Sequence, residues 1–232
     1  MKLWLNGRLI APESARLDPS DRGFTLGDGL FETIRYENGR AVRLDRHLAR
    51  LRQAAAFLAI PLDWSDRQIE AGIDAVVAAA NLAAAAIRIT LSRGPAPRGL
   101  LPPAAPEPTL LITAAPLAPE APPARIVIAK VTCRNEASPL SRLKTLNYID
   151  KIMARRESLV RGADDAILLN TRGEVAEASV ANVFILEDGV LRTPPIDDGA
   201  LPGIARGVLI ERCGVVETTL RPADLLSAQM VL

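Results

Sequence analysis

Prolines crowd residues 94–123. Proline locks φ and offers no backbone N–H, so such a run blocks helices and central-strand pairing and stiffens a connection. Only Thr109–Thr113 reads as a strand inside it. The chain is therefore expected to divide here: an N-terminal domain over 1–115, a linker over 116–123, and a second domain over 124–232. Length permits this, since 232 residues suffice for one large domain or two smaller ones.

Before the linker the pattern is mixed α/β. Leu3–Leu5 and Arg8–Ile10 flank a turn at Asn6-Gly7 and read as a hairpin. A loop rich in charge and glycine, Asp21–Gly29, precedes a strand over Phe31–Tyr36. Glu37-Asn-Gly39 turns that strand back into Ala41–Leu44. Asp45 is positioned to cap a helix to about Leu58, with Leu48, Leu51, Ala55 and Leu58 at helical spacing. Ser65 or Asp66 opens a second helix bearing Ile69, Ile73, Val76 and Val77 on one face. Ala86–Leu91 alternates like a half-buried strand. After the linker come strands at Arg125–Val131, Ala166–Leu169, Asn182–Leu186 and Val190–Thr193. Helices are expected over Leu146–Val160 and from Leu201-Pro-Gly to about Cys213, and a last strand over Gln229–Leu232.

Composition excludes several classes. Hydrophobic residues make up 49% and aromatic residues 3%, so the core must be built from Leu, Ile, Val and Ala. With 28 basic and 27 acidic residues, no net field draws nucleic acid or an anionic membrane. The N-terminus lacks a signal-peptide apolar run, and no stretch suffices to span a bilayer, so a cytoplasmic protein is expected. Cys133 and Cys213 form no CxxC unit, and with one His they are too few for zinc. They read as buried or half-buried free thiols, and no metal is expected.

Four positions could carry chemistry. Lys144 is expected to feed a helix start between apolar neighbours. Helix dipole and partial burial would both disfavour its charge, and a neutral amine is what Schiff-base chemistry uses. Glu177 precedes an apolar strand, where a half-buried carboxylate needs a cation. Pro202-Gly-Ile-Ala205 opens a helix whose free N–H groups suit an anion. Arg50 lies in a helix. Taken singly, each has an ordinary reading: a snorkelling lysine, a capping carboxylate, structural punctuation, a solvated arginine.

Their order and spacing resemble the class IV (fold type IV) aminotransferase family. Asp21-Arg-Gly23 with Gly27-Asp-Gly29, His47-x-x-Arg-Leu51, Lys144-x-Leu-Asn147, Glu177-x-Ser-x-x-Asn-Val-Phe184 and Leu201-Pro-Gly-Ile-x-Arg206 carry the likeness from Leu3 to the last residue. The resemblance implies an α/β (α+β) fold of two domains: a small N-terminal α/β domain and a larger, barrel-like C-terminal one, with the cofactor at their junction. That cofactor is pyridoxal 5'-phosphate (PLP). Lys144 would bind it covalently and then shuttle the substrate's Cα proton. Glu177 would pair with the ring nitrogen. Arg50 and the backbone N–H groups of Ile204 and Ala205 would hold the phosphate. The substrate is a small molecule and the assembly a homodimer.

Ala205 departs from the hydroxyl residue many relatives carry there, which removes one phosphate hydrogen bond. After Glu177 only Ser179 keeps a hydroxyl. The family continues several tens of residues past Leu232, so either a phosphate- and substrate-contacting loop is cut off or the protein lacks it. For the reaction, Thr-Leu-Asn after the lysine ranks branched-chain transaminases lower. Arg98 lacks the His that D-amino-acid transaminases place two residues later. Gly-Asp-Gly-Leu-Phe-Glu-Thr33 and Ser92-Arg-Gly94 look closer to 4-amino-4-deoxychorismate lyases. Thr33 is then a candidate to relay a proton, and Phe31 and Arg98 are candidates to touch substrate. D-amino-acid or branched-chain transamination is the alternative, and a non-catalytic PLP-fold protein is the rival of another class.

Overall fold

A computed structural model describes residues 2–119 and 122–232. The chain forms two compact units, Met1–Glu120 with Lys144–Asn147, and Ala121–Leu143 with Tyr148–Leu232. Two linker positions, 120 and 121, lie outside the described residues.

The first unit contains β1 (Leu3–Leu5), β2 (Arg8–Ile10), α1 (Arg22–Leu26), β3 (Gly29–Glu37), β4 (Arg40–Ala41), α2 (Leu44–Phe57), α3 (Asp66–Ala80), β5 (Ala85–Ser92) and β6 (Thr109–Pro116). Six strands make one sheet in the order β2-β1-β6-β5-β3-β4. Alternation works as the pattern requires. Ile87, Ile89 and Leu91 on β5 are completely buried, as are Leu110 and Ile112 on β6, while Arg88 between them is exposed. Helices α2 and α3 supply Leu48, Leu51, Ile69 and Ile73 to that core. Each such side chain contributes roughly 1.5–3 kcal/mol by leaving water.

Ser65 caps α3, accepting from the Gln68 N–H while the Gln68 side chain accepts from the Ser65 N–H. The start of α2 differs from expectation. Its cap is Arg43, in the left-handed region at φ 54°, with no side-chain hydrogen bond; Asp45 lies inside the first turn. That backbone reversal also ends β4 at Ala41, where the sequence suggested a strand to Leu44. Gly94 is required by its site. Its φ is +86°, and an added Cβ would collide with the Glu107 carbonyl.

The second unit contains β7 (Ile126–Ile128), α4 (Ile149–Val160), β8 (Asp165–Leu169), β9 (Val175–Ala178), β10 (Ile185–Glu187), β11 (Val190–Thr193), α5 (Ile204–Cys213), β12 (Val216–Glu217), α6 (Pro222–Ser227) and β13 (Met230–Val231). β7 and β8 run parallel, and α4 lies between them in sequence, as a parallel pair needs a crossover. Ala129, Ala154, Ala166 and Leu168 pack where α4 meets this sheet, and the three alanines allow close approach. β9 completes that three-stranded sheet, and β12-β11-β10-β13 form a second one. Ile167, Val175, Ala178, Val183, Ile185 and Leu220 form the larger core. Both cysteines are free and, contrary to the sequence reading, exposed. Their places explain it: Cys133 is in a loop before β8 and Cys213 ends α5, with neither on a core-facing row. No helix among the described residues is long and apolar enough to cross a membrane.

Candidate active site

Lys144 does not stand at a helix start. An isolated bridge ties Thr145 to Leu30 at the beginning of β3: the Phe31 N–H donates to the Lys144 carbonyl, and the Leu146 N–H to the Gly29 carbonyl, each at 2.9 Å. Asn147 donates through its side chain to the Gly27 carbonyl, and α4 begins only at Ile149. The sheet absorbs the backbone groups that a helix from Leu146 would have used. The dipole argument for Lys144 therefore does not apply. What the structure provides instead is a rigid backbone and an aromatic floor: Nζ lies 4.4 Å from the centroid of the Phe31 ring.

The same ring is approached by Arg88, whose guanidinium carbon is 3.8 Å from the centroid. Arg88 pairs across the strands with Thr33, two residues beyond Phe31 and exposed. Phe31, Thr33, Arg88 and Lys144 thus gather at one place in the first unit. Arg88 was missed from sequence because an isolated arginine on a strand reads as a solvated residue.

Arg50 has a different setting. Its Nε and Nη2 donate to both oxygens of Glu32 at 2.7 and 2.6 Å, and His47 Nδ1 is 2.7 Å from the same carboxylate. Glu32 is 1% exposed and alternates with the core residues Leu30 and Ile34. Burial alone would push its carboxyl up. Hydrogen bonds from His47 and Arg50, with their charges, outweigh this and hold it below the usual range. Arg50 keeps 14% of its side chain exposed. Arg98 is exposed in the proline-rich loop, which Arg22 holds by donating to the carbonyls of Gly99 and Leu100. Arg22 and Arg93 both bind Asp28 and so fix the Gly27–Gly29 turn.

In the second unit Glu177 lies inside β9 and is 2% exposed. Its Oε2 accepts from the Leu201 N–H at 3.1 Å. Arg134 Nε and Lys151 Nζ stand 3.0 and 2.9 Å from Oε1. Neither is aligned to donate a hydrogen bond to that oxygen, so Oε1 is buried and ion-paired yet has no hydrogen-bond donor. Leu201 links this carboxylate to the start of α5. Asn182 donates to its carbonyl at 2.8 Å, and the cap residue is Gly203, where an added Cβ would meet Asn182 Oδ1. Gly203 supplies no side-chain hydrogen bond to the first turn of α5, which holds Ile204 and Ala205. Arg134 and Lys151 could not be found from spacing, because tertiary folding brings them to Glu177 from 43 and 26 residues away.

Each unit, taken by itself, carries groups of the kind that a phosphorylated pyridine ring uses. A lysine amine lies over an aromatic face, a buried carboxylate has an oxygen lacking a hydrogen bond, and an uncapped helix N-terminus follows a glycine that a side chain would obstruct. The chain belongs to the class IV aminotransferase family, whose model, Amino-transferase class IV, matches residues 29–232. Enzymes of this family are PLP-dependent. Among relatives, the chain is 33% identical to the D-alanine aminotransferase of Listeria innocua, covering 91% of this chain and 74% of that one. It is 31% identical to the aminodeoxychorismate lyase of Bacillus subtilis, covering 90% and 72%. The branched-chain amino acid aminotransferase structure of Escherichia coli matches with a TM-score of 0.93 at 26% identity, covering 99% of this chain and 81% of that one. The mixed α/β architecture is that of fold type IV.

Proposed function

We propose that this chain is a 4-amino-4-deoxychorismate lyase, releasing pyruvate from its substrate and leaving 4-aminobenzoate for folate synthesis. The observation that supports this reading is the exposed hydroxyl of Thr33 on the strand that carries Phe31, the residue beneath the Lys144 amine. Elimination needs a base for the Cα proton and a donor for the departing oxygen. Lys144 takes the proton and Thr33 positions one at the leaving group. A C–H and a C–O bond break, the ring becomes aromatic, and pyruvate departs without any redox partner. Bound PLP supplies a sink for the electron pair released at Cα.

In this reading Glu177 pairs with the ring nitrogen, and Arg50 with the Ile204 and Ala205 N–H groups binds the phosphate. Phe31 and Arg98 contact substrate. The working form is a homodimer in the cytoplasm.

The test is to incubate the purified protein, loaded with PLP, with 4-amino-4-deoxychorismate and assay pyruvate. Pyruvate release is expected, with at least about a 10³-fold loss in Lys144→Ala. Absence of pyruvate together with rapid amino transfer from D-alanine to 2-oxoglutarate would overturn the lyase reading in favour of a transaminase.

A further inference from the structure

Lys151 stands beside Glu177, and its role rests on the reading of Glu177 as the partner of the cofactor's ring nitrogen. Lys151 is a buried lysine in α4, with 8% of its side chain exposed. Taking an ammonium out of water is costly unless it is paired. Its ion-pair partner is Glu177, and the Tyr148 ring lies 5.0 Å from Nζ.

Glu177 does not need this lysine for neutrality. Arg134 already stands 3.0 Å from Oε1, and it is itself tied down by donating to the carbonyls of Gly199 and Ser141. One carboxylate therefore faces two cations at the same oxygen, the buried Lys151 and the half-buried Arg134. The other oxygen is held by the Leu201 N–H. A protonated ring nitrogen arriving at Glu177 is a third cation and must share the charge that two already compensate. Like charges at this range in a poorly solvated place repel strongly.

We propose that Lys151 is a positioning residue that orients the Glu177 carboxylate and weakens its hold on the protonated ring nitrogen of the cofactor. The enzyme so built binds PLP with less dependence on the ring proton than Glu177 and Arg134 alone would impose.

The experiment compares, in apoenzyme reconstituted by titration, the affinities for PLP and for its 1-deaza analogue, in which carbon replaces the ring nitrogen. The ratio isolates the nitrogen's contribution, because a general loss of packing weakens both ligands alike. Lys151→Met is expected to raise the preference for PLP about tenfold, equivalent to one pKa unit of differential interaction. Lys151→Arg, which keeps the cation, is expected to leave the preference at the wild-type value. Lys151→Gln, a neutral polar variant, reads the same ratio if the methionine variant does not fold. An unchanged ratio in the neutral variant overturns the proposal, provided Glu177→Gln lowers it. A ratio that Glu177→Gln leaves unmoved overturns instead the assignment of Glu177.

Discussion

Two buried carboxylates, one in each unit, are each attended by two basic side chains, and their hydrogen bonding differs. Glu32 receives a two-point donation from Arg50 and a contact from His47, so both oxygens are satisfied. Glu177 receives one backbone N–H on Oε2, while Oε1 has two cations beside it and no aligned donor. A closed network rigidifies its surroundings, whereas a buried acceptor left without a hydrogen bond is expensive and calls for a reason. The first arrangement is complete with the protein's own groups. The second leaves Oε1 ion-paired without an aligned hydrogen bond, an acceptor of the kind that the pyridinium N–H of the proposed cofactor would use. Burial is nearly equal at the two sites, so the completeness of the hydrogen bonding is what distinguishes them, and it is the ground on which Glu177 is proposed to meet the cofactor.

The largest effect is expected at the closed network. Glu32→Ala leaves the Arg50 and His47 side chains facing an apolar row without their carboxylate, and should destabilise the protein by about 3–5 kcal/mol. Urea unfolding measures this. A loss below about 1 kcal/mol would break the comparison. Next comes Glu177→Gln, which keeps the shape and one acceptor. It should lower PLP affinity by about 10–100-fold while costing less stability than Glu32→Ala. Equal losses of stability at the two sites, with PLP binding intact, would make both carboxylates structural.

A third expectation is pH dependence. The Glu32 carboxyl is held below its ordinary value, so its stabilisation is fully present above about pH 4.5 and is lost as pH falls through the depressed folded value. The stability difference between wild type and Glu32→Gln should therefore shrink on acidification below pH 4.5, which chemical denaturation at stepped pH values would reveal. Smallest is Ala205→Ser. Restoring a hydroxyl in the first turn of α5 adds one donor near a bound phosphate, worth about 0.5–1.5 kcal/mol, and should tighten PLP binding several-fold. No tightening would place the phosphate away from that turn.

Much of the fold is legible in the chain. The alternation over Ala86–Leu91 and the helical spacing of Ile69, Ile73, Val76 and Val77 both correspond to the buried faces observed. Such patterns survive because burial acts on residues a fixed number apart. The neighbourhood of Lys144 was misread for the opposite reason. Thr145–Tyr148 has no local signal against joining the helix, and only the hydrogen bonds of Lys144 and Leu146 with the distant Gly29–Phe31 backbone keep the segment out of it. Likewise Glu32 reads as one polar residue in a strand until Arg50 and His47 fold over it.

By itself, the sequence determined the family, the chemical identities of lysine, carboxylate and helix start, and the periodic faces that form the cores. These depend on composition and short spacings. Only the tertiary structure decided that the Lys144 segment is bridged to β3 with its amine over Phe31, that Lys151 and Arg134 meet at one oxygen of Glu177, and that Arg50 is engaged by Glu32. Electrostatic energies depend on distance, burial and direction, and residues tens of positions apart acquire those only when the chain has folded.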